Sequence, residues 1–132
     1  MSEQQLPANS SFCWNELGTT DLESAKKFYT ELLGWKLKGS DAAPGMVYNE
    51  IMVEGRPCGG MYQMGAEFGN APSHWMPYVS VDDVDAKAKQ VAELGGKVCV
   101  PPTDIPNVGR FCVINDPTGA TISLIKLTGA SS

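Results

Sequence analysis

One histidine, no C-x-x-C pair and no long apolar run leave little room for a metal knuckle, a redox motif or a membrane anchor in this sequence. With His74 as its only histidine, one chain cannot build a His-based metal cluster. The four cysteines, Cys13, Cys58, Cys99 and Cys112, are widely separated, which excludes a zinc knuckle or thioredoxin-like motif and points to reduced, buried thiols. A reactive Cys112 is the alternative, but it has no visible activating neighbour. No apolar stretch approaches the ~20 residues of a bilayer-spanning helix. Basic residues are outnumbered, ten against fifteen acidic, and the net charge of -5 with no basic patch argues against nucleic acid and anionic membranes as partners. P-loop, G-x-G-x-x-G and G-x-S-x-G motifs are missing, so nucleotide-fold and serine-hydrolase readings have no support. The N-terminal MSEQQLPANSS lacks the basic start and apolar core of a secretory signal, so a cytoplasmic protein is expected, with residues 1–10 as a disordered tail.

What is there is a doubled pattern. Leu22, Ala25, Phe28, Tyr29, Leu32 and Leu33 recur at spacings of three and four and predict a helix, with Thr20 and Glu23 as a capping box and Gly34 as its left-handed stop. Val84, Ala88, Val91 and Leu94 repeat the stripe before Gly95-Gly96. A constant offset of 62 residues relates Asp21 to Asp83, Leu32 to Leu94 and Gly34 to Gly96. Two copies this long indicate a duplicated half-domain rather than a solenoid, which needs three or more shorter units. Strand-like segments surround each helix: Phe12–Gly18, Trp35–Lys38, Met46–Val53 and Pro57–Met64, then Trp75–Val81, Lys97–Val100, Gly109–Asn115 and Ala120–Leu127. Each half therefore reads βαβββ. The expected fold class is α+β: tandem βαβββ modules forming an eight-stranded, mostly antiparallel curved sheet, a cup with two outer helices. The 132 residues suffice for one domain, over 11–128, with halves at about 11–65 and 74–128 and a mobile connection at Gly65–His74.

The string D-L-x-x-(A/S)-x-x-F-Y-x-x-L-L-G-W at Asp21 to Trp35, L-G-G at Leu94 to Gly96 and D-P-x-G at Asp116 to Gly119 resemble the vicinal-oxygen-chelate superfamily. Glyoxalases, bleomycin-resistance proteins and extradiol dioxygenases belong to it. F-C-W-N-E-L-x-T-x-D from Phe12, P-P-x-D-I-P at Pro101 to Pro106 and V-G-R-F at Val108 to Phe111 are most similar to the glyoxalase-related branch named after lactoylglutathione lyase. The resemblance implies that a metal-dependent member would hold a divalent ion at the positions of Trp14 and Ser123 and, through the offset, Met76 and Met61. None of these is a hard-metal ligand, so no cofactor is expected. It also implies a homodimer, for which an exposed sheet edge gives a physical reason.

Alternation along the strands places Phe12, Trp14 and Glu16 on one face of the implied cup, with His74, Met76 and Tyr78 on its counterpart. A carboxylate in an apolar strand needs a donor or a polar cavity, so Glu16 is either the candidate catalytic base or ligand acceptor, or a structural carboxylate paired with Arg110 or the backbone. Arg110, which the offset relates to Tyr48, is either a clamp for an anionic ligand group or a salt-bridge partner of Glu50 or Glu16. Trp14, Met61, Trp75, Met76 and Tyr78 form the apolar set of a small-molecule pocket, or plain core, and Trp35 is core. His74 reads as an exposed loop residue, unless it converges with Glu16 and Glu50. The candidate ligand-binding set is thus Trp14, Glu16, Tyr48, Met61, Met76, Tyr78, Arg110 and Ser123. The leading functional reading is a small-molecule binder with an apolar, metal-free cup. The alternatives are a metal-dependent lyase, isomerase or dioxygenase with ligands off the expected register, and an oligomerisation or regulatory module.

Overall fold

The computed structural model describes residues 7–43, 46–106 and 108–128, without the side chains of 40–43, 46, 47 and 67. Most of the expected 1–10 tail and the C-terminal 129–132 lie outside the described residues. The tail is in place by Ser10, whose amide donates to the Ser80 carbonyl at 2.6 Å while the Ser80 amide donates to Ser11 at 2.8 Å. The elements run β1 Phe12–Thr19, α1 Leu22–Leu33, β2 Lys36–Ala43, β3 Met46–Val53, β4 Arg56–Gln63, β5 His74–Ser80, α2 Val84–Glu93, β6 Lys97–Ile105, β7 Gly109–Asn115 and β8 Thr121–Leu127. A single 3-10 turn, Ala66–Phe68, lies between β4 and β5. This is the expected α+β class with two βαβββ runs. Among the described residues no helix is long and apolar enough to cross a membrane.

Contacts divide the chain into two compact units, Trp14–Met76 and a second that runs from Pro77 and takes in the chain start up to Cys13. In the first, the strand order is β2-β3-β4-β1; in the second, β5-β8-β7-β6. β1 pairs parallel with β4 and β5 parallel with β8, because the crossover helix returns the chain to the same end. The remaining pairs within each unit are antiparallel. β6 continues through Pro101 and Pro102, beyond the end expected at Val100. It tolerates them because it sits at the end of its strand order, with register shifts at Val98/Val100 and Val100/Thr103.

The helices are capped by Asp21 and Asp83, not by Thr20. The Ser24 amide donates to Asp21 Oδ1 at 3.1 Å and the Ala86 amide to Asp83 Oδ1 at 3.0 Å. The Thr20 amide instead donates to Ser73 Oγ at 3.0 Å. Gln63 adds a second tie: its Oε1 accepts from the Leu22 amide at 2.9 Å and its Nε2 donates to the Thr20 carbonyl at 2.8 Å. Gly34 closes α1 at φ 73°, where a Cβ would be strained. In the first unit Leu17, Leu22, Ile51 and Met61 form the core beneath α1, flanked by Ala25, Tyr29, Trp35 and Leu37. In the second, Val81, Val84 and Cys112 do so, with Val79, Ala88, Ile114 and Leu124 around them.

Two outcomes follow for stability. Ile51 is buried between β3 and α1, so Ile51→Ala is expected to cost about 2–5 kcal/mol in urea unfolding, from lost burial and the cavity left behind. Hydrogen bonds from Ser24 hold the Asp21 carboxyl below its ordinary range. A lowered carboxylate contributes stability above its unfolded value, near about 3.9, and that contribution is lost as pH falls through the folded value. Asp21→Asn retains the cap but not the titration, so its urea midpoint is expected to fall less than the wild type's between about pH 5 and pH 2.5.

Candidate functional site

Strand alternation decides what each sheet face carries. In β1, Leu17 enters the core beneath α1, so Trp14 and Glu16 lie on the opposite face. In β3, Ile51 enters that core, so Tyr48 and Glu50 share the face of Glu16. The pairings confirm the arrangement: Glu50 is the cross-strand partner of Gly60, and Gly60 the partner of Glu16. Two carboxylate residues thus stand in one row across three strands, with a glycine between them.

Tyr48 bridges this row. Its ring lies over Gly60, where any Cβ would collide with the phenol. The Trp14 indole N–H donates to the Tyr48 oxygen at 2.9 Å, and the Tyr48 hydroxyl donates to Glu16 Oε2 at 2.9 Å. Burial pushes the Tyr48 phenol far above its ordinary value, and the negative charge of Glu16 adds to the rise. Tyr48 is therefore a neutral donor at any physiological pH. Its ring stacks near Tyr62, at 6.4 Å between centroids, and Tyr62 meets Phe68 at 5.9 Å. Tyr62, Phe68 and Gly60 were missed in the sequence; Gly59-Gly60 in a strand was the available sign of a close approach.

The second unit has a matching row, Tyr78–Ser123–Val113. Against Glu16–Gly60–Glu50, the offset is 62 at the first strand but 63 at the last two. One extra residue between Gly96 and Gly109 makes the difference, and a one-residue slip turns every strand side chain to the other face. Two expectations change as a result. The counterpart of Ser123 is Gly60, and Met61, 0% exposed, belongs to the core beneath α1. The counterpart of Tyr48 is Phe111, and Arg110 shares its face with Cys112 and Ile114, toward α2.

Arg110 is held there by acids on its own unit, where the sequence reading had Glu50 or Glu16. Its Nε and Nη2 donate to the two Asp85 oxygens at 2.9 and 3.0 Å, and Nη1 donates to Asp104 at 2.9 Å. These bonds lower the Asp85 carboxyl and raise the guanidinium further. Arg110 also lines a cavity of about 340 Å³ with Asp104 and Lys126. His74 starts β5 rather than ending a loop, half-buried, with Nδ1 against the Pro72 carbonyl at 2.8 Å. Trp75 and Trp35 pack around Tyr29. Tyr78 and Ser123 are buried, and Ser123 Oγ has no hydrogen-bond partner among the described residues. Burial raises the Cys112 thiol, which makes it a poor nucleophile.

A scan against protein families matches residues 13–124 to the Glyoxalase/Bleomycin resistance protein/Dioxygenase superfamily. The chain belongs to this superfamily. "Putative glyoxylase CFP32" of Mycobacterium tuberculosis (strain CDC 1551 / Oshkosh) is 39% identical over 113 residues, 86% of this chain and 42% of that protein. "Anthracycline biosynthesis protein DnrV" of Streptomyces peucetius is 32% identical over 124 residues, 84% of this chain and 45% of that protein. The chain thus spans less than half the length of these curated relatives. Among solved structures, methylmalonyl-CoA epimerase from Mycobacterium tuberculosis superposes with a TM-score of 0.62 at 17% identity, covering 95% of both chains. At that identity the likeness shows the fold.

Metal-dependent members of the superfamily need oxygen and imidazole donors at the ligand positions of both halves. With the corrected frame those positions hold Trp14, Gly60, Met76 and Ser123, a donor set that does not fit a divalent ion. Among the described residues no three His, Cys, Asp or Glu side chains are grouped to hold one.

The bridge is testable without a ligand. Spectrophotometric titration of Tyr48→Phe is expected to show the same tyrosinate absorbance gain as wild type between about pH 9 and 11, since Tyr48 does not ionise where ordinary tyrosines do, near about pH 10. A loss of one tyrosine's amplitude in that window would show that the phenol is not held by Glu16.

Proposed function

We propose that this chain binds a small organic molecule on the face of the first unit that carries Trp14, Glu16 and Tyr48, without a metal at the family positions. The observation that carries the reading is the Trp14–Tyr48–Glu16 hydrogen-bond chain, built on the sheet face opposite the α1 core. A fixed neutral phenol and a carboxylate acceptor supply directional contacts, and Tyr62 and Phe68 supply an aromatic border. A ligand with a flat apolar body and a polar edge suits that combination. The relative named for anthracycline biosynthesis supports a molecule of this kind. Met76 is proposed as a further apolar contact. Tyr78 and Ser123 are proposed as contacts on the second unit's own face, where the buried Ser123 hydroxyl has no hydrogen-bond partner among the described residues. Met61 and Arg110 are left out because of the faces they occupy.

The probe is quinizarin, a dihydroxyanthraquinone, followed by tryptophan quenching and calorimetry. Saturable binding is expected, weakened about tenfold or more in Tyr48→Phe and Glu16→Gln, since each removes a directional contact worth on the order of 1.4 kcal/mol. Arg110→Ala is expected to stay within about twofold of wild type. Elemental mass spectrometry after exposure to nickel, zinc, iron and manganese runs in parallel. Near-stoichiometric metal that is lost in Glu16→Gln would overturn the reading in favour of a metal-dependent lyase, isomerase or dioxygenase.

A further inference from the structure

Two strings singled out in the sequence play no part in the proposed ligand face. D-I-P closes β6 and V-G-R-F opens β7, and in the second unit they meet at the cavity of about 340 Å³. Asp104, Ile105 and Pro106 line it from the β6 end, Gly109 and Arg110 from β7, and Lys126 from β8. The register sets its charges in one row. Asp104 is the cross-strand partner of Arg110, and Arg110 that of Lys126. Arg110 reaches Asp85 of α2, so the row lies on the α2 side of these strands, opposite the face of Tyr78 and Ser123.

The row holds one acid for two bases, and like charges directly opposite on neighbouring strands repel. Asp85 supplies a second acid, but Arg110 Nε and Nη2 take both of its oxygens. Lys126 is left without an ion pair among the described residues; Asp82, which lines an adjoining cavity of about 210 Å³ with it, does not pair with it. On Arg110, each terminal nitrogen keeps a second N–H that neither acid takes. Asp104 is the looser of the two acids. It makes one contact, at 2.9 Å, and its side chain is 76% exposed against 52% for Asp85. Ile105, Pro106 and Leu127 give the rest of the wall an apolar character. We propose that this cavity binds a small monocarboxylate with a short apolar body, one oxygen on Arg110 Nη1 and the other on Lys126, displacing Asp104 as the resident carboxylate. One negative charge matches the one unmatched base, and a planar carboxylate suits a guanidinium edge that Asp85 keeps oriented. The volume suits a ligand of modest size.

Fluorine NMR of para-fluorobenzoate titrated with the full chain tests this, with neutral para-fluorobenzamide as the control. Saturable binding of the acid is expected, with a dissociation constant on the order of a millimolar, and binding of the amide about tenfold weaker or less. Lys126→Met is expected to weaken the acid about fivefold or more, with a thermal melt no lower than wild type because a cross-strand repulsion is removed. Asp104→Asn is expected to tighten it about threefold, since the resident competitor loses its charge; a purely structural Asp104–Arg110 pair gives no such gain. Tyr48→Phe and saturating quinizarin are expected to leave it unchanged, which separates this site from the first unit's face. No saturation, equal binding of the amide, or indifference to both Lys126→Met and Asp104→Asn would overturn the proposal. So would displacement by quinizarin, which would put the acid elsewhere, and displacement by equimolar inorganic phosphate, which would overturn the carboxylate class.

Discussion

The hydrogen bond from Tyr48 to Glu16 spans β4, and it depends on the residue beneath it having no side chain. With Gly60 in the row, the phenol settles over the sheet, takes the Trp14 indole proton as acceptor and offers its own to the carboxylate. Burial then keeps that phenol neutral, and the bond in turn gives a carboxylate on an otherwise apolar strand a stable partner. The polarity of this face follows from one steric allowance.

The helices and most strands were readable because their signals are local. Apolar spacing and terminal glycines mark both helices, and β3 and β7 begin and end where β-branched and aromatic runs predict. Cap identity was less readable, since Thr20 and Asp21 are both good cap residues and only the geometry shows that Ser73 engages Thr20. Strand facing was the least secure. The motifs that align the two halves lie in the first strand and helix, and nothing local announces the extra residue between Gly96 and Gly109. For a helix such a slip rotates a side chain by 100°; for a strand it reverses the side entirely. Met61, reached from Ser123 through the offset of 62, was placed on the wrong face for that reason, and the same offset paired Arg110 with Tyr48 although their faces differ; Trp14 and Glu16 needed no transfer between halves.

The two units have diverged in kind as well as in frame. The first carries carboxylates and a bridging phenol in its central row; the second carries Tyr78, Ser123 and Val113 in the same places. On the helix side the contrast is just as clear. Arg110 fastens α2 through Asp85, while α1 is fastened at its start by Gln63 from β4. Duplication preserved the backbone and its core while each copy acquired its own surface chemistry.

Gly60 occupies the first unit's counterpart of a last-strand ligand position, and that has an evolutionary consequence. A carboxylate introduced there could not simply be added to the existing site, because its Cβ claims the volume that the Tyr48 phenol fills. Positions 48 and 60 are therefore epistatic. A descendant of this chain reaches a metal-type donor set only by shrinking residue 48 first or at the same time. Any lineage that keeps tyrosine at 48 in this pose is confined to glycine at 60.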